Sequence, residues 1–399
     1  MRNPFSKAVL AAVLFQGVSS VTLHADDDWQ VIRCNNRDYL SLDNVAHFYR
    51  LQGDTRRVDN KITLGDERVH LEMTGDAREV YINGVKQWLS FPVIVKDGQH
   101  LISRFDLAKT IEPALRPTMI ENLQPFRTVV LDAGHGGQDR GANSITGFEK
   151  DYTLSVIKYL KRSLQAKGFH VMTTRDADVY VPLDGRAQRA NDIKDAIFVS
   201  VHFNSSNDGG LANGFEVFAM TPRGASSTGD SGMGLEQLWN FPGNDFDNAS
   251  LALANCVHHS ILGHIPQADR GVKRARFVVL KNTHAPAILV EGGFLTNATE
   301  GSRINDVAWR QKLAESISQG VQSYAGLADK KLMPKLLADY QSEQLPLVGT
   351  IVNANALADL NKPKAAASVL PVSNDQSTSL ESAPAAIQPA AAPSLPPMH

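Results

Sequence analysis

Between residues 126 and 326, short apolar runs alternate with stretches whose apolar positions recur at helical spacing. Residues 128–131 (TVVL) form the unbroken apolar run expected of a strand buried on both faces, and 169–173, 197–203, 215–220, 277–280 and 287–290 read as further strands. Leu154, Ile157, Leu160 and Leu164 mark a helix that Gly168 closes. Residues 184–194, 250–263 and 303–325 read as three more helices. This alternation predicts an α/β fold, an open and mostly parallel sheet flanked by helices. Such a sheet carries its site beyond the carboxyl ends of its strands.

The flanks differ in texture. Residues 26–118 predict a small α+β domain. Ser41 stands at an N-cap position before the apolar face of Leu42, Val45, Ala46, Phe48 and Tyr49. Val69, Leu71 and Met73 alternate as a strand does, and Asn83-Gly84 before Val85 signals a hairpin. Asp97-Gly98 gives a second turn, and Phe105, Leu107, Ala108 and Ile111 suggest a closing helix. Pro113 and Pro117 lead into a linker at 119–126. Residues 221–249, rich in Gly and Ser with one helical turn near 235–239, read as a long surface insertion. A linker at 327–360 follows. Residues 361–399 hold 9 Ala and 7 Pro and no Gly or aromatic residue, too little to bury for an ordered core. At the other end, Arg2, Lys7, the apolar run 8–15 and Leu23-His24-Ala25 compose a secretory signal over 1–25. The chain is therefore expected to be exported, periplasmic or secreted, with no membrane span once the signal is removed.

Charge narrows the choice. The 399 residues carry a net −2, which becomes −4 when the signal takes Arg2 and Lys7 with it, so the basic excess of a nucleic-acid binder is absent. Cys34 and Cys256 are too few for a disulfide scaffold, a cysteine zinc finger or an iron–sulfur cluster, and they are read as unpaired. The 12 histidines remain as metal donors. His47, His70 and His100, in the small domain, are read as surface or core residues.

His135 follows the 128–131 strand inside Asp132-Ala-Gly-His-Gly-Gly137, where glycines let the chain bend and approach a bound ion closely. His202 ends the 197–203 strand, Glu291 ends the 287–290 strand before two glycines, and Glu149 opens a helix. Two histidines and one carboxylate with an open fourth position make a catalytic zinc set. The other carboxylate would serve as general base. Taken singly, each residue also has a structural reading: a helix-start Glu is commonly a dipole-favoured cap. Glu291 resists that reading most, because a carboxylate closing an apolar strand needs a partner.

The stretch 127–325 resembles the zinc-dependent N-acetylmuramoyl-L-alanine amidases of the amidase 3 type. The resemblance runs through Val130-Leu-Asp-Ala-Gly-His-Gly-Gly-Gln-Asp139, Gly141-Ala142, Glu149-Lys150, Thr174-Arg175-Asp176, Leu183 with Arg186 and Ala190-Asn191, Ser200-Val-His-Phe-Asn204, Arg270-Gly-Val272, Val279-Leu280 and Pro286-Ala-Ile-Leu-Val-Glu-Gly-Gly-Phe-Leu-Thr-Asn297. It implies His135, Glu149 and His202 as zinc ligands and Glu291 as catalytic glutamate. It also implies Asn204 and Arg186 as substrate contacts, and hydrolysis of the amide joining N-acetylmuramic acid to L-alanine in peptidoglycan. Arg186 and Asn191 equally suit an internal ion pair and a helix-end hydrogen bond. Arg140 and Phe203 depart from the usual pattern beside functional positions, without removing a ligand. Other zinc hydrolases acting on the wall, and a non-catalytic peptidoglycan binder, are the alternatives. Residues 26–118 more weakly resemble the N-terminal domain of copper amine oxidases, which recurs in bacterial cell-wall proteins and does not itself imply copper; a wall- or partner-binding role is what that resemblance implies. Some periplasmic relatives block the zinc site with a helix until a protein partner displaces it. The 221–249 insertion, expected near the cleft, reads first as a substrate-lining loop and second as a short blocker of that kind.

Overall fold

The structure is a computed structural model that describes residues 29–343 and 345, apart from 55–59 and 231–233. The signal at 1–25 and the tail at 361–399 lie outside the described residues.

In chain order the strands are β1 (Val31–Cys34), β2 (Arg37–Ser41), β3 (Gln52–Asp54), β4 (Lys61–Gly65), β5 (His70–Thr74), β6 (Glu79–Ile82), β7 (Val85–Trp88), β8 (Ile94–Lys96) and β9 (Gln99–Ser103). They continue with β10 (Thr128–Ala133), β11 (Asn143–Ser144), β12 (Gly147–Phe148), β13 (His170–Thr173), β14 (Ala196–Asn204), β15 (Phe215–Met220), β16 (Asp269–Ala275) and β17 (Ala287–Phe294). The helices are α1 (Leu42–Tyr49), α2 (Arg104–Asp106), α3 (Glu112–Leu115), α4 (Glu149–Ala166), α5 (Leu183–Asn191), α6 (Asp247–His264), α7 (Val278–Lys281), α8 (Ala298–Asn305), α9 (Val307–Lys330) and α10 (Leu337–Gln341). A π-helical turn, Leu107–Ile111, joins α2 to α3.

One 11-stranded sheet runs in the order β13-β10-β14-β17-β15-β16-β7-β6-β5-β4-β3. β13, β10, β14 and β17 are mutually parallel, β15 turns antiparallel to β17, and β16 is parallel to β15. At its apolar face Val129, Leu131, Val199, Val201, Val217 and Val290 pack under α4, α6 and α9. The opposite face carries Val130, Phe198, Met220 and Leu289 with α5 and α7. The small N-terminal part has its own core, with Leu42, Leu64, Leu71, Val80 and Ile82. Ser41 caps α1 as the sequence suggests, accepting from the Asn44 amide at 3.2 Å. Its hairpin β6–β7 joins the large sheet where Val272 of β16 pairs with Gln87 of β7.

Three expectations are corrected. Residues 277–280 are not a strand: Phe277 precedes α7, a single helical turn. Four apolar residues suit a buried turn as well as a strand, and periodicity cannot separate the two over so short a run. The linkers are partly structural: Ile120, Leu123 and Phe126 enter the main core, α9 continues to Lys330, and Tyr340 of α10 is 1% exposed. The described residues of the 221–249 insertion do not reach the cleft. The insertion leaves β15 at Met220, and because β15 is antiparallel to β17 that end lies away from the carboxyl ends of β14 and β17. Its described residues hold to the far side instead, with Thr228 donating to the Arg274 carbonyl at 2.8 Å and accepting from Arg78.

Candidate active site

The site grows from one register row. His202 of β14 lies opposite Glu291 of β17, and Glu291 lies opposite Glu216 of β15. Directly paired residues point to the same face, so three polar side chains stand side by side where α5 and α7 leave the sheet open. His135 arrives from β10 through a bend. His135, Gly136 and Gly137 have φ of +60°, +131° and +60°, a run that glycine tolerates and that turns the chain sharply. The bend sets the His135 ring 5.0 Å from that of His202, centroid to centroid. Gly134 is required for space, since a Cβ there would lie 2.3 Å from His202 Cε1.

Glu149 is the first residue of α4 and 4% exposed. Its Oε2 accepts from the Ala142 amide at 2.8 Å and lies 3.0 Å from His135 Nε2. Its Oε1 accepts from the Phe203 amide at 3.1 Å and lies 2.9 Å from His202 Nδ1. Burial works to raise this carboxyl, but the hydrogen bonds from His135 and His202 outweigh it and hold the carboxyl far below the usual range. Asp139 stands behind His135, each carboxylate oxygen 2.9 Å from Nδ1. Glu291 is the opposite case. Burial, then the neighbouring carboxylates of Glu149 and Glu216, push it well above the usual range against the pull of Lys273. Its Oε2 is buried without a hydrogen-bond partner among the described residues.

His135, Glu149 and His202 are the only three ligand-type side chains that converge among the described residues, with ligating atoms within 4.8 Å of one another. Two imidazoles and one carboxylate suit zinc. Asp139 is the outer carboxylate that such a histidine commonly leans on. The donor set therefore fits the ion. The other histidines do not gather: His70 pairs with Glu72, and His258, 0% exposed, lies 2.8 Å from Asp269. Cys34 and Cys256 are both free thiols; Cys256 is buried in α6 and Cys34 is half-buried.

Arg186 is not at the groove. It is 2% exposed and donates to Asp132 Oδ1 at 2.8 Å and to the carbonyls of Ala133, His135 and Val181 at 2.6, 2.8 and 3.0 Å. Asp132 needs that cation because it is 0% exposed, with Thr174 and Ser200 as further donors. The pair braces the exit of β10, one step behind His135. Asn191 likewise bonds the α7 end, donating to the Asn282 carbonyl at 2.9 Å. Asn204 does face the site row and donates to Glu216 at 2.7 Å.

Glu216, Arg270 and Lys273 form a group that sequence reasoning misses. Glu216 is 5% exposed and accepts from Asn204, from Arg270 Nε at 3.0 Å and from Lys273 Nζ. Burial would raise its carboxyl, yet Lys273 and its other donors hold it below the usual range. A signal is present: Glu216 is a lone acid inside the apolar run FEVFAM, the same irregularity that marks Glu291.

Residues 129–323 match the family described as N-acetylmuramoyl-L-alanine amidase. Over 201 residues the chain is 35% identical to the protein named probable cell wall amidase LytH of Staphylococcus epidermidis, a span that covers 50% of this chain and 58% of that one. The namesake in Staphylococcus aureus is 33% identical over the same length. The chain thus spans little more than half of these curated relatives. Among solved structures, an N-acetylmuramoyl-L-alanine amidase of Clostridium difficile is 33% identical, covering 50% of this chain and 97% of that one, with a TM-score of 0.42. The catalytic domain of CwlV from Bacillus (Paenibacillus) polymyxa var. colistinus is 30% identical, covering 50% and 98%, again with a TM-score of 0.42.

Proposed function

Starting from a chain that belongs to the amidase 3 family of N-acetylmuramoyl-L-alanine amidases, we propose that it is a zinc-dependent hydrolase of peptidoglycan, cutting the amide between N-acetylmuramic acid and L-alanine. The observation that carries this reading is the convergence of His135, Glu149 and His202 with an unpartnered Glu291 at the same register as His202. The three ligands would hold zinc, which when bound polarises a carbonyl and acidifies water. Glu149 contributes a fixed negative charge, because its two histidine neighbours keep it ionised. Asp139 orients His135 so that Nε2 faces the site. Glu291 has no competing hydrogen bond on Oε2, so that oxygen is available to take a proton from the attacking water and deliver it to the leaving amine. Asn204, held by Glu216, borders the same row and would orient the substrate. The substrate lies outside the cytoplasm, which matches the export expected from residues 1–25.

The test is digestion of purified sacculi by the zinc-loaded protein, with and without a chelator, beside Glu291→Ala. Mass spectrometry should find new L-alanine amino termini with glycan and cross-links intact, only from the zinc-loaded wild type. Cleaved sugars or cross-links would assign a different hydrolase, and no release at all would leave a binder.

A further inference from the structure

The site row does not stop at Glu216. Beyond it, on the same face, Phe218 of β15, Lys273 of β16, Trp88 and Lys86 of β7 and Tyr81 of β6 alternate aromatic and cationic side chains. Lys273 Nζ lies 5.8 Å from the Phe218 ring centre and 5.9 Å from that of Trp88. Lys86 Nζ lies 5.9 Å from Trp88 and 5.5 Å from Tyr81. A bulge makes the near end. The β15–β16 register shifts between Phe215 and Val217, and Gly271 has a φ of +92°, so both Arg270 and Lys273 reach the Glu216 carboxylate. Two cations share that one carboxylate. Arg270, stacked 4.9 Å over Phe294 with its side chain 36% exposed, is left with guanidinium donors toward solvent. Trp88 Nε1 donates to the Arg270 carbonyl at 3.0 Å, fixing the ladder to the bulge.

The interior does not need this ladder. Gln87 and Val85, on the other face of β7, are the buried members of that strand, while Lys86 and Trp88 are only half-buried. Aromatic faces alternating with cations suit an extended ligand that bears carboxylates. The surface is continuous with the proposed catalytic row; Lys86 is paired with Glu79 at 3.2 Å, so its surplus positive charge is the one that Arg270 and Lys273 hold over Glu216. Its length fits as well. From β17 to β7 is three strand spacings, about 14 Å at ~4.8 Å each, and a four-residue stem peptide extends about 14 Å at ~3.4 Å per residue.

Resting on the amidase reading, we propose that the stem peptide runs from the scissile amide across β15 and β16 onto β7. In this path a stem carboxylate sits on Arg270 and the peptide body on Trp88, beside Lys86. The N-terminal hairpin is then part of the substrate cleft.

Two substrates with the same scissile amide test this: muramyl dipeptide and a muramyl tetrapeptide. Wild-type protein should show the lower KM for the tetrapeptide. In Lys86→Glu and in Trp88→Ala, the ratio of tetrapeptide to dipeptide KM should rise about tenfold, whereas a folding defect would move both KM values together, and Lys86→Arg should keep the wild-type ratio. A ratio that stays at the wild-type value in folded Lys86→Glu and Trp88→Ala overturns the proposal, as do equal wild-type KM values. If wild type releases no L-alanine amino terminus from either compound, it is the amidase reading that fails. The ladder is then judged by the Kd of the free tetrapeptide for wild type and Lys86→Glu, and equal values would reject it too.

Discussion

Glu291 and Glu149 are the same residue type in one cleft with opposite settings. One is buried beside two carboxylates, its Oε2 without a partner among the described residues; the other is held by two imidazoles and two backbone amides. Replacement should separate their roles. Glu291→Gln is expected to lower kcat by about 10²–10⁴-fold while zinc content, read by elemental analysis, stays near one per chain. Glu149→Gln should lose the metal instead. Asp139→Asn is expected to weaken zinc affinity by about 10–100-fold through His135, measured by competition with a chromogenic chelator. His135, His202 and Glu291 are legible in the sequence because each interrupts an apolar or glycine-rich pattern, whereas Glu149 is marked only by opening a helix and by the resemblance. Arg186 is less so. Its position beside the motif suggests substrate, and only the tertiary pairing with Asp132 shows that it is interior. Arg186→Met should therefore act on stability, by about 3–5 kcal/mol for an orphaned buried charge, visible as a lowered denaturant midpoint.

The elements explain why the site forms at this edge. β10, β14 and β17 are parallel, so their carboxyl ends coincide, and α4 starts there with Glu149. Close packing at Gly134 is part of that arrangement. Gly134→Ala is expected to push the His202 ring aside and abolish zinc binding with the fold retained, checked by metal titration alongside circular dichroism. Strands with strong β-branched runs, such as β10 and β14, are readable from the order of their residues alone, as is the N-cap at Ser41. The direction of β15 is not. Its residues describe a strand, but nothing in FEVFAM says which way it runs, and that choice moves the following insertion from the cleft to the opposite side.

At the scale of the molecule, the junction of β16 with β7 is carried by few groups. Asp269 accepts from the Lys86 amide at 2.7 Å, from Gly271 at 2.8 Å, and lies 2.8 Å from buried His258. Burial opposes its ionisation, but His258 and these amides hold its carboxyl below the usual range. A carboxyl depressed in the folded state stabilises above its unfolded pKa of about 3.9, and that contribution is lost as pH falls toward the folded value. Melting temperature should thus drop below about pH 4, and less steeply in Asp269→Asn. No sequence pattern announces this junction, because Val272 and Gln87 are far apart in the chain and look ordinary alone. The joint also decides where the sheet ends. With β7 in place, the free border is β3, a strand of three residues. Short borders resist pairing with other chains, whereas long bare ones invite it. A chain begun at residue 119 would bare the edge of β16, Asp269–Ala275, up to Arg274, where Thr228 still covers the backbone. Light scattering should find it self-associating at concentrations where the full chain is monodisperse, the outcome expected if the N-terminal strands also keep the chain from polymerising with itself.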